Sequence, residues 1–144
     1  MLTEIFAATE SELKGMDLGL SPLGRFPTLE SWGVQPLMIA QLQAILEESD
    51  LKDTDCVLER TAEPLRVAGD EGPWVYPVPT SMRDALAGAD VDGIRPVADQ
   101  WFATEEWRLE DWPREAFDEW LDELLELAEE AIEADRQLYL WVCQ

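Results

Sequence analysis

The densest group of chemically useful side chains in the chain is Trp101–Trp112, which reads WFATEEWRLEDW. It sets three tryptophans among four acids (Glu105, Glu106, Glu110 and Asp111) and one base, Arg108. Glycoside hydrolysis uses such a set. One carboxyl has a raised pKa and protonates the leaving oxygen, the second stays ionised, and an aromatic face stacks the sugar. That chemistry needs the two carboxylates to face each other across a cleft, whereas neighbours such as Glu105 and Glu106 at a helix end point apart. On the alternative reading Trp101 is core, Trp107 and Trp112 fasten a linker between two helices, and the acids are solvated.

The second group is the acidic face of the closing helix. From Pro113 the chain runs PREAFDEWLDELLELAEEAIEAD. Apolar residues recur at Phe117, Trp120, Leu121, Leu124, Leu125, Ala128, Ala131 and Ile132, in the steps of three and four that mark an amphipathic helix. Most of the remaining positions are carboxylates, including Glu119, Glu123, Glu126 and Glu130. Like-charged neighbours four apart, such as Glu119–Glu123 and Glu126–Glu130, each destabilise an isolated helix by roughly 0.2–0.5 kcal/mol. The helix must therefore be held by its apolar face, where each large side chain contributes about 1.5–3 kcal/mol on burial. Its acidic face is left to meet solvent or a basic partner.

Charge points the same way. The 144 residues carry 32 acids against 10 bases, a formal net charge of −22. No basic patch is available to displace counterions from phosphate, which argues against nucleic acid, and the charge opposes docking on anionic membranes. An acidic surface would instead accelerate the approach of a basic protein. Adaptation to a salty milieu accounts for the same composition, and only Lys14 and Lys52 are lysines.

Histidine is absent, which removes the commonest general base and metal ligand, and with it Ser-His-Asp and Cys-His catalysis and most zinc chemistry. Cys56 and Cys143 form no C-x-x-C pair and read as core thiols of a reducing compartment. Gly69-Asp70-Glu71-Gly72 lacks the ligand spacing of a calcium loop and the lysine of a phosphate loop, so it reads as a plain turn. We expect no catalytic residue, metal or cofactor. The candidate binding residues are Glu105, Glu106, Trp107, Arg108, Trp112, Glu119, Glu123 and Glu130.

The elements that must position these residues follow from periodicity and turn chemistry. Length and a 47% hydrophobic content give one domain, residues 1–144, with a real core. Leu2–Ala8 reads as a strand. Thr9 and Glu12 have the spacing of a capping box for one helical turn. Residues 14–36, broken by Gly15, Gly19, Pro22, Gly24, Pro27 and Gly33, read as loop anchored by Leu20, Leu23, Phe26 and Trp32. A helix spans Leu37 to about Glu48, with Met38, Leu42, Ile45 and Leu46 as its stripe. Short β runs are expected at 56–59 and 65–68, with a hairpin across Gly69–Pro73 returning through Trp74–Val78; Pro77 confines that strand to an edge or ends it. A third helix covers Met82–Ala87 and stops at Gly88. A fourth runs from about Arg95 to Trp107, because Pro96 fits only a first turn. Arg108–Trp112 links it to the closing helix, whose first position is Pro113.

Leu138–Cys143, apolar on both faces, reads as an interior strand, and the first strand is placed to pair with it. The class is α+β: a small sheet carrying both terminal strands and a central hairpin, with four to five helices packed on it. No signal peptide or membrane-spanning run is visible, so the chain reads as cytoplasmic, a monomer or weak homodimer.

Glu71-Gly72-Pro73-Trp74-Val75, Val78-Pro79, Ala85-Leu86-Ala87, Val97-Ala98, Trp101, Thr104-Glu105-Glu106, Trp112 and Leu138-Tyr139-Leu140-Trp141 resemble a group of small uncharacterised bacterial proteins, over roughly residues 70–144, with an echo at Trp32–Leu46. The layout, with an N-terminal strand, helices, a long helix and a last strand, is also similar to the YfbM-like family of unknown function. Both resemblances imply a compact autonomous domain and no activity. The composition suits an interaction protein, in an immunity, inhibitor or regulatory role, that presents its acidic surface to a basic protein. The competing expectation is a small-ligand or carbohydrate-handling protein, with hydrolysis as its candidate chemistry, working through Glu105 and Glu106 among the tryptophans.

Overall fold

A computed structural model describes residues 2–47, 64–70 and 72–143. Five strands form one antiparallel sheet in the order β2-β1-β5-β4-β3. They are β1 (Leu2–Ala8), β2 (Thr28–Glu30), β3 (Arg66–Val67), β4 (Trp74–Pro77) and β5 (Gln137–Cys143). Six helices are present among the described residues: α1 (Glu10–Lys14), α2 (Pro36–Leu46), α3 (Thr80–Ala87), α4 (Val91–Phe102), α5 (Glu105–Glu110) and α6 (Arg114–Glu133). The architecture is the α+β domain expected, with the two terminal strands at the centre of the sheet.

β5 is central because both of its faces are apolar. Leu138, Leu140 and Val142 face the main helical layer, and Tyr139 and Trp141 face a second, smaller core. β1 alternates in the same way: Ile5 and Ala7 join the main core while Phe6 and Ala8 join the second. The two strands pair along their whole length, from Leu2 opposite Cys143 to Ala8 opposite Gln137. A strand buried on both faces cannot lie at a sheet edge without exposing apolar surface.

The main core is roofed by α2, α3, α4 and α6. α6 buries Phe117, Trp120, Leu121, Leu124, Leu125, Leu127, Ala128 and Ala131. Leu127 takes the place expected of Ile132, which remains 43% exposed. The second core is covered by α1 and by Met16, Leu18 and Phe26 from the chain that follows it. The Thr9–Glu12 capping box forms with both reciprocal bonds, at 2.9 and 3.1 Å. The hairpin also forms, with Arg66 opposite Val75 and Val67 opposite Trp74, and β4 ends at Pro77, where the ladder loses a donor.

Four expectations are corrected. Residues 14–36 are not wholly loop, since Thr28–Glu30 forms β2 against β1. Of the four expected anchors of that segment, Phe26 is half-buried, while Leu20, Leu23 and Trp32 are each at least half exposed. The Arg95–Trp107 helix is two helices: α4 begins earlier, capped by the Asp90 carboxylate on the Gly93 N–H, so Pro96 lies inside its second turn rather than its first. The chain then breaks at Thr104, whose extended backbone starts α5 and whose hydroxyl donates back to the Trp101 carbonyl at 2.8 Å, a local bond that competes with helix continuation. Finally, Pro113 precedes α6 and Arg114 is its first residue. The second helix ends at Leu46, with Glu47 as its C-cap, short of the expected Glu48, and the strand expected at 56–59 lies outside the described residues.

Two turns place α6 over the sheet. Asp111, in the left-handed region with φ 56°, separates α5 from α6. Asp135, also at φ 56°, stands where glycine usually ends a helix, and the Arg136 N–H donates to the Ala131 carbonyl at 2.7 Å. This tight reversal makes α6 run back antiparallel to β5. Because β1 is antiparallel to β5, and β2 to β1, α6 also runs antiparallel to β2, the edge strand it packs against.

Candidate functional site

The Trp101–Trp112 segment builds core rather than a cleft. Trp101 and Trp107 are 0% and 1% exposed, and their rings meet edge-on with centroids 5.2 Å apart. Phe117, Trp112 and Trp120 close on Trp107 at 4.9, 5.0 and 5.6 Å. The Trp101 indole N–H donates to the Met38 carbonyl of α2 at 2.9 Å. Edge-to-face aromatic packing of this kind adds about 0.5–1.5 kcal/mol per pair beyond area burial.

The acids of this segment separate. Glu106 accepts a hydrogen bond from the Gln41 side chain at 2.8 Å. Glu105 is exposed and lies with Arg108 and Leu109 around a shallow depression. Glu110 lies against Gly33, where a Cβ would meet the movable end of its side chain. Gly33 has φ 81°, in the left-handed region that favours glycine. No cleft lies between Trp101 and Trp107, and Glu105 and Glu106 do not face each other.

A larger concavity than that depression lies elsewhere. A groove of about 660 Å³ runs between β2 and α6. Its apolar floor is Leu29 and Leu127, both buried. Four carboxylates line it: Glu30 from β2, and Glu123, Glu126 and Glu130 from α6. Leu23 and Trp32, 50% and 58% exposed, complete the wall. Among the described residues none of the four acids forms an ion pair.

The helix places its three acids by spacing alone. Positions 123, 126 and 130 differ by three and four, so they share one flank, and Leu127 between them turns to the core. Leu29 faces inward opposite Ile5, so Glu30 projects from the other face of the sheet and borders the groove at the open edge of β2.

Of the sequence-derived candidates, Glu123 and Glu130 meet in this groove. Glu119 is exposed on α6 outside it. Trp107 and Trp112 belong to the aromatic core, Arg108 and Glu105 to the separate depression, and Glu106 to the α2 contact. Sequence reasoning missed Glu30, Trp32 and Glu126 as members of one site. The available signal was Thr28-Leu29-Glu30, a short alternating run between Pro27 and Gly33.

Among the described residues no group of three or more His, Cys, Asp or Glu is arranged to hold a metal ion, and no helix is long and apolar enough to cross a membrane. Cys143 is half-buried at the end of β5, and Cys56 lies outside the described residues. No protein-family model matches the chain, and neither a curated protein nor a solved structure matches it.

Proposed function

We propose that the protein is a non-enzymatic interaction protein that receives a basic segment of a partner protein in the groove between β2 and α6. The observation that carries this reading is the convergence of Glu123, Glu126 and Glu130 on one flank of α6, none of them ion-paired among the described residues, beside an exposed tryptophan and the edge of β2 that carries Glu30. Three like charges on one helix flank, with a fourth at the adjoining strand edge, raise the local negative potential and increase the encounter rate with a cationic partner. Trp32 offers a ring face to an arginine or lysine, worth about 0.5–1 kcal/mol at an exposed site. Leu29 and Leu127 supply the apolar contact beneath.

The test is a salt titration of binding to a capped arginine-rich peptide by three proteins. One is the native chain, one carries Glu123→Gln, Glu126→Gln and Glu130→Gln, and the third carries Asp92→Asn, Glu115→Gln and Glu129→Gln. The two variants lose the same charge, but only the first loses it from the groove. Binding that weakens with salt and is abolished only in the groove variant supports the reading. Equal loss in both variants reduces the effect to net charge and removes the site.

A further inference from the structure

The groove is bounded on one side by an open sheet edge, and the backbone of that edge has a definite polarity. β2 is the terminal strand of the sheet, with β1 on one side and no strand on the other among the described residues. The Ala7 N–H donates to the Pro27 carbonyl at 3.0 Å and the Ser31 N–H to the Thr3 carbonyl at 2.9 Å, while Leu29 stands opposite Ile5. Pro27, Leu29 and Ser31 therefore turn their backbone groups inward to β1. Alternation in an antiparallel ladder then turns the N–H and C=O of Thr28 and Glu30 outward, into the groove.

We infer that the partner segment binds as an added β-strand on the free edge of β2, with arginine or lysine at alternate positions facing the α6 carboxylates. This rests on the groove reading above and specifies its mode. An added strand meets the outward groups of Thr28 and Glu30 with main-chain hydrogen bonds, and its side chains alternate between the two faces of the sheet. Those on the helical face meet Glu123, Glu126 and Glu130. α6 runs antiparallel to β2, and a four-residue step along it rises about 6 Å, close to the roughly 6.8 Å of a two-residue step along a strand. Glu126 and Glu130 thus match successive same-face residues of the added strand. A second copy of this chain is disfavoured as the occupant, because edge-to-edge pairing would bring two acidic rims together in molecules of charge −22.

The experiment uses the full chain and a capped peptide alternating arginine with threonine, together with the same peptide N-methylated along its backbone. Affinity is read by calorimetry at low salt, and amide exchange is followed at Thr28 and Glu30. The expected result is binding by the first peptide, at least about tenfold weaker binding by the methylated one, and slowed exchange of the Thr28 and Glu30 amides at saturation. If both peptides bind equally, or those amides stay unprotected, strand addition is overturned while the charge reading stands. If neither peptide binds, both readings fall. If sedimentation of the chain alone shows a dimer with Thr28 and Glu30 already protected, the occupant is a second copy and the inference is overturned.

Discussion

The indole N–H of Trp120 on α6 donates to the hydroxyl of Ser31, 3.0 Å away and 89 residues earlier in the chain. That hydroxyl donates in turn to the Leu29 carbonyl at 3.0 Å, and the Thr3 hydroxyl donates to the Ser31 carbonyl. Ser31 thus ties the closing helix to the end of the edge strand through its hydroxyl and to β1 through its carbonyl. The two walls of the groove are held at a fixed separation by this contact and by the Leu29–Leu127 floor.

Trp120→Ala is expected to lower unfolding free energy by about 3–5 kcal/mol, the usual range for removing a large buried aromatic. Trp120→Phe keeps most of the ring but removes the donor, so a smaller loss, on the order of 1 kcal/mol, is expected. Urea unfolding measures both. A loss below about 1 kcal/mol for the alanine variant would show that α6 is not held by this face.

Replacing Glu119, Glu123 and Glu130 together with glutamine is expected to leave the melting temperature unchanged or slightly raised. The substitutions relieve the like-charge spacing of Glu119 with Glu123 and of Glu126 with Glu130, each worth about 0.2–0.5 kcal/mol. Scanning calorimetry checks this. A clear fall in melting temperature would mean that the acids are structural.

Both tyrosines are expected to ionise late. Burial pushes the Tyr139 hydroxyl above its ordinary value of 10.0, helped by the charge of Glu10, and burial alone does the same at Tyr76. A group whose pKa is raised by folding contributes stability below its unfolded value and loses it as pH climbs through the folded value. Tyrosinate absorbance should therefore remain low at pH 10 and rise together with unfolding above it. Half-ionisation at pH 10 with the fold intact would contradict the burial.

Glu12 sets part of the acid limb. The Thr9 backbone N–H holds its carboxyl below the ordinary 4.5, and the Arg136 guanidinium acts in the same direction against the opposing effect of burial. A pKa depressed by folding contributes stability above the unfolded value and loses it as pH falls through the folded one. Glu12→Gln keeps a capping side chain, so its deficit relative to the native chain is expected near neutral pH and should vanish well below pH 4. A deficit independent of pH would assign the effect to geometry rather than charge.

Much of the frame was legible in local sequence. The two terminal strands, the capping box, the hairpin, the third helix and the apolar face of α6 all follow from periods of two or 3.6 and from turn residues. The break at Ala103–Thr104 was not legible, because it depends on whether the Thr104 hydroxyl bonds back to Trp101 or points to solvent. Pro96 misled in the same way, since the packing of Ile94, Ala98 and Trp101 outweighs one lost helical hydrogen bond.

The sequence by itself determined that the protein has a large negative charge, no histidine chemistry, a central two-faced strand and an amphipathic closing helix. Only the tertiary structure decided which carboxylates act together. Glu105 and Glu106 are adjacent in the chain and diverge, because neighbouring residues on a helix project in different directions. Glu30 and Glu130 are a hundred residues apart and share one groove, because strand pairing puts β2 at the sheet edge and a tight turn at Asp135 lays α6 back beside it.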